Sequence, residues 1–284
     1  MQQTSFEKIF KQHSPKYAFL LPRMREAMGV KEVTFDDINS TNIGLFKEYM
    51  SDEVTANSLK TYMAVISSVI NQLADDGLVR RINLKVVSRV KATPSENIAL
   101  TEEEIKRIEQ YYDRLLTRPN HQAEKDVLTL FLMECVTGAR NSDCYHITEE
   151  NIRDGKLVYI SKKTKQKSVM PAHPRLRLYI AHKPRKEYDR KTASRILKQT
   201  AERCGINEKV SLFYHGKLVS KPKSAFVSTH TGRRSFATIL AKRGVPITEI
   251  CQFMNHKNNI NMTMRYIIAD ADSVSPEAMS FFNG

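Results

Sequence analysis

Four short stretches in the second half of this 284-residue chain carry residue types suited to chemistry on phosphate. Thr137-Gly138-Ala139-Arg140 ends on an arginine, and residues 161–167, SKKTKQK, form a lysine-rich turn around Lys163. His230-Thr231-Gly232-Arg233-Arg234 opens an apolar run, and Met254-Asn255-His256 is followed by Met264-Arg265-Tyr266. Cleaving a phosphodiester without a metal requires cationic donors at the non-bridging oxygens, where the pentacoordinate transition state gathers charge. Arginine suits that task, because its planar fork donates two hydrogen bonds and stays protonated. Arg140 and Arg233 are the candidate clamps. A tyrosine hydroxyl can attack phosphorus and store the bond as a covalent phosphotyrosine, which makes Tyr266 the candidate nucleophile. The departing sugar oxygen needs a proton, which Lys163 on a hairpin turn can give. His230 and His256 can carry a proton or hydrogen-bond the phosphate.

Two-metal cleavage is the competing chemistry and needs several converging acids. Near these stretches the acids are Asp143, Glu149 and Glu150. Asp143, three residues past Arg140, reads as a support that orients the arginine, so no metal site is expected. The four cysteines, Cys135, Cys144, Cys204 and Cys251, show no CxxC pair, and neither zinc nor a disulfide framework is expected.

The elements that must position these residues follow from periodicity. Leu59, Tyr62, Met63, Ile66, Val69, Ile70 and Leu73 mark an amphipathic helix stopped at Gly77. Weaker helical patterns cover about 4–12, 15–28 and 40–51, so the first part of the chain reads as a small helical bundle. Residues 88–98 lack periodicity and contain Pro94. Thr101 and Glu104 then form a capping-box pair that opens a helix carrying Ile105, Ile108, Tyr112 and Leu115. The boundary places one domain at 1–94 and a second at 95–284. In the second, a buried helix runs from about Ala123 to Val136, and short strands at 157–160 and 168–170 make a hairpin. Helices follow at about 191–204, 231–243, 248–256 and 259–267. The fold class is mainly α with a small antiparallel sheet.

Lysine and arginine number 45 against 31 acids, a net charge of +14 that suits a polyanionic partner. Residues 1–98 carry 13 basic and 11 acidic groups. Residues 162–198 alone carry 13 basic groups and two acids, Glu187 and Asp189. No apolar stretch approaches the roughly 20 residues of a membrane span. The N-terminus lacks the apolar region and cleavage site of a signal peptide, so a cytoplasmic protein is expected. Candidate DNA contacts are Asn57 and Lys60 at the start of the long helix, Lys165 and Lys167 in the basic turn, and Arg234.

The ordered set Arg140, Lys163, His230-x-x-Arg233, His256 and Tyr266 resembles the catalytic signature of the tyrosine recombinases, the phage integrase family. The similarity spans the whole chain: the N-terminal bundle resembles that family's core-binding (SAM-like) domain and the remainder its catalytic domain. The resemblance implies a C-shaped clamp around duplex DNA and an enzyme that cuts and rejoins recombination sites through a 3′-phosphotyrosyl link at Tyr266, with no cofactor. It implies a homotetramer on DNA, weakly associated or monomeric without it, and it allows directionality or DNA-bending accessory proteins as partners. Met279, Phe281 and Phe282 either dock on a neighbouring protomer or fold back on their own core. With the bundle starting almost at once, no further N-terminal DNA-binding domain of about 60 residues is expected.

Three departures from the family pattern stand out. Gly232 replaces an apolar residue and is expected to loosen the helix start. Met254-Asn255-His256 stands where Leu-Gly-His is usual. His256 and Tyr266 are ten positions apart rather than nine. The stretch from Ser235 to His256 also reads as helix, turn, helix, which keeps a DNA-binding regulator, or a catalytically inactive homologue, as the alternative. A type IB topoisomerase, with the same chemistry on one duplex, is the second alternative.

Overall fold

The computed structural model describes residues 5–84, 88–93, 96–214, 216–256 and 259–268. They group into two compact units, one within residues 1–95 together with 213–218, the other within 96–212 and 219–284. The expected boundary at Pro94 lies outside the described residues, as do Met279, Phe281 and Phe282. No helix among the described residues is long and apolar enough to cross a membrane.

The first unit is built on helices α1 (Phe6–His13), α2 (Leu20–Met28), α3 (Ser40–Glu53) and α4 (Ala56–Asp75). The apolar spacing read from the sequence becomes the buried face of α4, with Leu59, Met63, Ile66, Val69, Ile70 and Leu73 packed in one core with Phe6, Phe10, Leu21, Met24, Ile43 and Phe46. Thr55 caps α4 by accepting from the Ser58 amide. Glu7 is buried here. Arg25 holds its carboxyl below the usual range, and the Val33 amide donates to it at 3.0 Å.

The second unit is organised around α6 (Gln122–Thr137), whose buried residues lie on all sides of the helix. Such a helix must be surrounded. Its neighbours are α5 (Glu102–Leu116), α7 (Asn141–Cys144), α8 (Leu176–Ala181), α9 (Arg190–Arg203) and, most extensively, α10 (Thr229–Lys242). α11 (Ile247–Phe253) and α12 (Ile260–Met264) complete the helices. The Thr101–Glu104 capping box forms as read, and Glu104 also accepts from the buried Lys223 at 2.7 Å.

Strands β1 (Ile152–Arg153), β2 (Lys156–Ile160) and β3 (Lys167–Pro171) form a three-stranded antiparallel sheet in the order β1-β2-β3. Leu157, Tyr159, Ser168 and Met170 face inward. β4 (Lys209–Tyr214) and β5 (Lys217–Pro222) form a second two-stranded sheet that the sequence reading left unassigned, as it did β1 and α8.

The close contact of α6 with α10 depends on two glycines. Gly138 ends α6 with φ +60, and a Cβ there would lie 2.4 Å from the Phe236 ring. A Cβ on Gly232 would lie 2.9 Å from the Phe131 carbonyl oxygen and 3.0 Å from Glu134 Cβ. This corrects the expectation that Gly232 loosens the helix start. α10 begins at Thr229, two residues earlier than read, behind a Ser228–Thr231 capping box, and Gly232 is buried against Phe131, Glu134 and Cys135 of α6.

Candidate active site

α10 carries His230 and Arg233 one turn apart, so both reach the same region from one rigid element. Arg233 is fully buried. A buried cation needs compensation, and it comes from two helix ends. Arg233 donates to the carbonyl oxygen of Gly138, the C-cap of α6, and at 2.5 Å to that of Met254, the C-cap of α11. Carbonyl groups at a helix C-terminus carry partial negative charge. Burial and the nearby Arg140 push the Arg233 pKa down, and Tyr266 and Tyr159 oppose the shift.

Arg140 is the N-cap of α7, directly after the Gly138 turn. Its Nη1 donates to Ser161 Oγ at 3.1 Å, and Ser161 donates to Asp143 Oδ2 at 2.9 Å. Asp143 also accepts from the Lys162 amide at 2.9 Å and lies 3.9 Å from Arg140. One carboxylate thus ties the arginine to the first residues of the β2–β3 turn. That turn is closed by a Ser161 amide bond to the Gln166 carbonyl and a left-handed Lys165, φ +56. Lys163 is exposed on it, and Lys165 and Lys167 are exposed beside it. Arg140, Lys163 and His230 line one pocket of about 380 Å³ with Arg190, Tyr145 and Tyr188. Burial, followed by Arg234, Arg190, Arg233 and Arg140, holds the His230 pKa down to about 4.

His256 follows α11. The helix ends with Asn255 left-handed at φ +54, the His256 amide donating to the Cys251 carbonyl at 3.0 Å and the Asn255 amide to that of Gln252 at 3.1 Å. This is the turn that a glycine usually completes. Asparagine is among the few other residues that take it readily, so Met254-Asn255-His256 keeps the geometry of the usual Leu-Gly-His. Asn255 further donates to Tyr159 Oη at 3.2 Å. His256 Nε2 lies 2.8 Å from Arg233 Nη2 and its Nδ1 lies 2.8 Å from Thr263 Oγ1. Burial and the two arginines hold its pKa down to about 3.

The Tyr266 ring lies 5.2 Å from the His256 ring, tilted by 39°, and Arg233 Cζ lies 5.3 Å from its centre. The backbone just after the Tyr266 Cα is anchored by Thr238 of α10. Thr238 Oγ1 donates to the Tyr266 carbonyl at 3.3 Å and accepts from the Ile268 amide at 3.0 Å. The ten-position spacing from His256 therefore still delivers Tyr266 to Arg233.

Within the second unit the structure brings together all six residues that the sequence singled out for chemistry. Arg140, Lys163 and His230 meet at the pocket, and Arg233, His256 and Tyr266 form a cluster joined to it through α10. Arg234, one residue on, is partly buried, and its pKa is pushed down by burial. In the first unit Lys60 is exposed, and Asn57 donates to the Thr93 carbonyl at 2.9 Å. Sequence reasoning missed Ser161, Thr238 and Thr263. Their roles exist only between segments distant in the chain, and no local pattern marks them. α11, the second helix of the alternative helix-turn-helix reading, is seven residues without lysine or arginine and buries Ile250, Cys251 and Phe253. Its exposed polar side chains are Thr248, Glu249 and Gln252, with no cation for phosphate among them.

The structure resembles solved recombinase structures. One is a XerH site-specific recombinase bound to a palindromic difH substrate in a post-cleavage complex, with TM-score 0.69, 13% identity, and 100% of this chain and 86% of that one covered. A second is a lambda integrase tetramer bound to a Holliday junction, with TM-score 0.64, 17% identity, and 95% and 78% covered. A third is the Tn1549 transposon integrase in complex with a circular intermediate DNA, with TM-score 0.57, 13% identity, and 99% of each chain covered. No curated protein sequence matches the chain. The model of the phage integrase family matches residues 98–272, well over half of the sequence. The chain belongs to the phage integrase family of tyrosine site-specific recombinases.

Proposed function

We propose that this protein cuts and rejoins specific duplex DNA sites by transesterification through Tyr266, without a metal. The observation that carries the reading is the contact of the Tyr266 ring with His256 beside the buried Arg233 guanidinium, 5.3 Å from its ring centre. In the reaction the Tyr266 oxygen bonds to phosphorus and the phosphorus–O5′ bond breaks. The DNA is left as a 3′-phosphotyrosyl ester with a free 5′-hydroxyl. Arg140 and Arg233 donate to the non-bridging oxygens, and Lys163 protonates the departing oxygen. His230, neutral at physiological pH, accepts the tyrosine proton. Asp143 fixes Arg140 through Ser161. Attack by the 5′-hydroxyl of a partner duplex reverses the chemistry on a new strand. The partner is double-stranded DNA, contacted by Lys165, Lys167 and Arg234 near the site and by Lys60 and Asn57 from the first unit. Four chains assemble on two sites, with accessory DNA-bending or directionality proteins as further partners, in the cytoplasm of the cell that holds the DNA.

The test is a suicide substrate nicked near the scissile phosphate, incubated in chelator with wild type or Tyr266→Phe and resolved on a denaturing gel. A covalent protein–DNA band from wild type alone is expected. DNA binding with no band from either protein would sink the reading and favour a regulator or an inactive homologue.

A further inference from the structure

Glu134 sits on α6 one turn before the Gly138 cap and is completely buried. Asn141, the residue after Arg140, donates Nδ2 to Glu134 Oε1 at 2.8 Å. Oε2 is sealed from solvent and has no hydrogen-bond partner among the described residues. None of the described arginines or lysines lies within ion-pair distance of this carboxyl. A bare carboxylate with one neutral donor in such a place is costly. A protonated carboxyl keeps Oε1 as the acceptor for Asn141 and carries no charge.

The position of Glu134 is tied to Gly232. A Cβ on residue 232 would lie 3.0 Å from Glu134 Cβ. The apolar side chain usual there would occupy space that the glutamate now uses, so the bare Cα of Gly232 makes room for Glu134. The groups facing the carboxyl are Arg233 on α10, Cys144 on α7 and Cys135 on its own helix. The pocket that Glu134 helps line adds the cations Arg140 on the loop before α7, Lys163 on the β2–β3 turn and Arg190 on α9. Its other titratable members are His230 on α10, Tyr145 after α7 and Tyr188 before α9.

We propose that Glu134 is a positioning residue of this active site. While its carboxyl carries a proton it pins the Arg140 turn to α6 through Asn141, and once ionised it draws the Arg233 guanidinium away from the phosphate. The proposal rests on the recombinase reading above. Burial raises the Glu134 pKa to about 8, against the smaller opposing effects of Asn141 and Arg233. The neutral form therefore dominates at pH 7, and the charged form appears in the mildly alkaline range.

Glu134→Gln keeps an acceptor for Asn141 and cannot ionise. Single-turnover formation of the covalent DNA adduct, measured for wild type and E134Q from pH 6.5 to 9.5, is expected to give equal rates at pH 7. Wild type should fall behind E134Q above pH 8, by about tenfold at pH 9, while DNA affinity stays equal. Any pH response common to the two proteins cancels in the ratio. A ratio that does not change with pH overturns the proposal. The second measurement needs no activity: in protein labelled with 13C at the glutamate carboxyl carbons, the resonance missing from E134Q should titrate near pH 8 without DNA. Titration near pH 4 overturns the proposal. If wild type forms no adduct at any pH, the recombinase reading fails and the positioning role goes with it. That outcome is told apart by the missing adduct, since the carboxyl titration is read independently.

Discussion

Nη2 of Arg233 donates to Nε2 of His256 at 2.8 Å, and this one contact fixes the imidazole. A guanidinium has no lone pair to offer, so Nε2 must accept and the ring proton sits on Nδ1, 2.8 Å from Thr263 Oγ1. Thr263 in turn lies within 3.5 Å of the Asn259 carbonyl oxygen. His256 is thus a neutral ring held at both nitrogens.

Thr263→Val keeps the shape and removes the acceptor, leaving a buried N–H without a partner. An unmet buried donor costs roughly 1–3 kcal/mol. If the ring drifts from Arg233, adduct formation should slow by about 10- to 100-fold with DNA affinity unchanged. Unaltered cleavage rates in Thr263→Val would show that the threonine does not hold the ring.

The two histidines set an acid limit on stability. Both have folded-state pKa values below the ordinary histidine value of 6.5, His230 at about 4 and His256 at about 3. The unfolded chain therefore binds more protons between about pH 3 and 6.5. Their contribution to stability is fully present above pH 6.5 and is lost as pH falls toward the folded values. The Tm should be flat near pH 7 and decline from pH 6.5 to 4. His256→Asn should make that decline shallower. An identical slope in the variant would rule out His256 as its source.

Gly232→Leu restores the residue type usual in the family but meets the Phe131 carbonyl oxygen at 2.9 Å and Glu134 Cβ at 3.0 Å. The carbonyl belongs to helix backbone and cannot swing aside. A destabilisation of about 1–3 kcal/mol is expected from overpacking, measured by urea denaturation. A variant as stable as wild type would mean that α6 and α10 can separate at no cost.

Asn255 holds a left-handed turn that costs a side chain with a branched Cβ most. Asn255→Gly should fold with nearly wild-type stability, losing the Tyr159 contact but easing the turn. Asn255→Val should lose about 1–2 kcal/mol. Equal melting temperatures for the two variants would remove the backbone argument.

How much of this was legible in the sequence differs by element. α4 was readable because the residues it buries recur at helical spacing, and α6 because its apolar residues run almost without a break between its ends. The six catalytic candidates were readable because their types are chemically demanding and their order is distinctive. β4 and β5 were not, since their residues are exposed or half-buried throughout and the alternation is confined to the first four residues of β4. Gly232 was misread for a different reason: a helical glycine looks like weakness until the neighbouring backbone that needs its bare Cα is known. Ser161, Thr238 and Thr263 are small hydroxyl residues whose partners lie 18 to 30 positions away or across a turn. Only folding reveals what they hold.

The two hydrogen bonds at Thr238 have a consequence for any assembly of these chains. They stitch the segment carrying Tyr266, the proposed nucleophile, to the helix that carries Arg233, its proposed clamp. On the proposed chemistry, each copy carries its nucleophile and its clamp together. On that proposal, control over which strand is cut acts by displacing Tyr266 in some copies and leaving it seated in others. Mixing a Tyr266→Phe chain with an Arg233→Ala chain would put a defect in every centre and restore none.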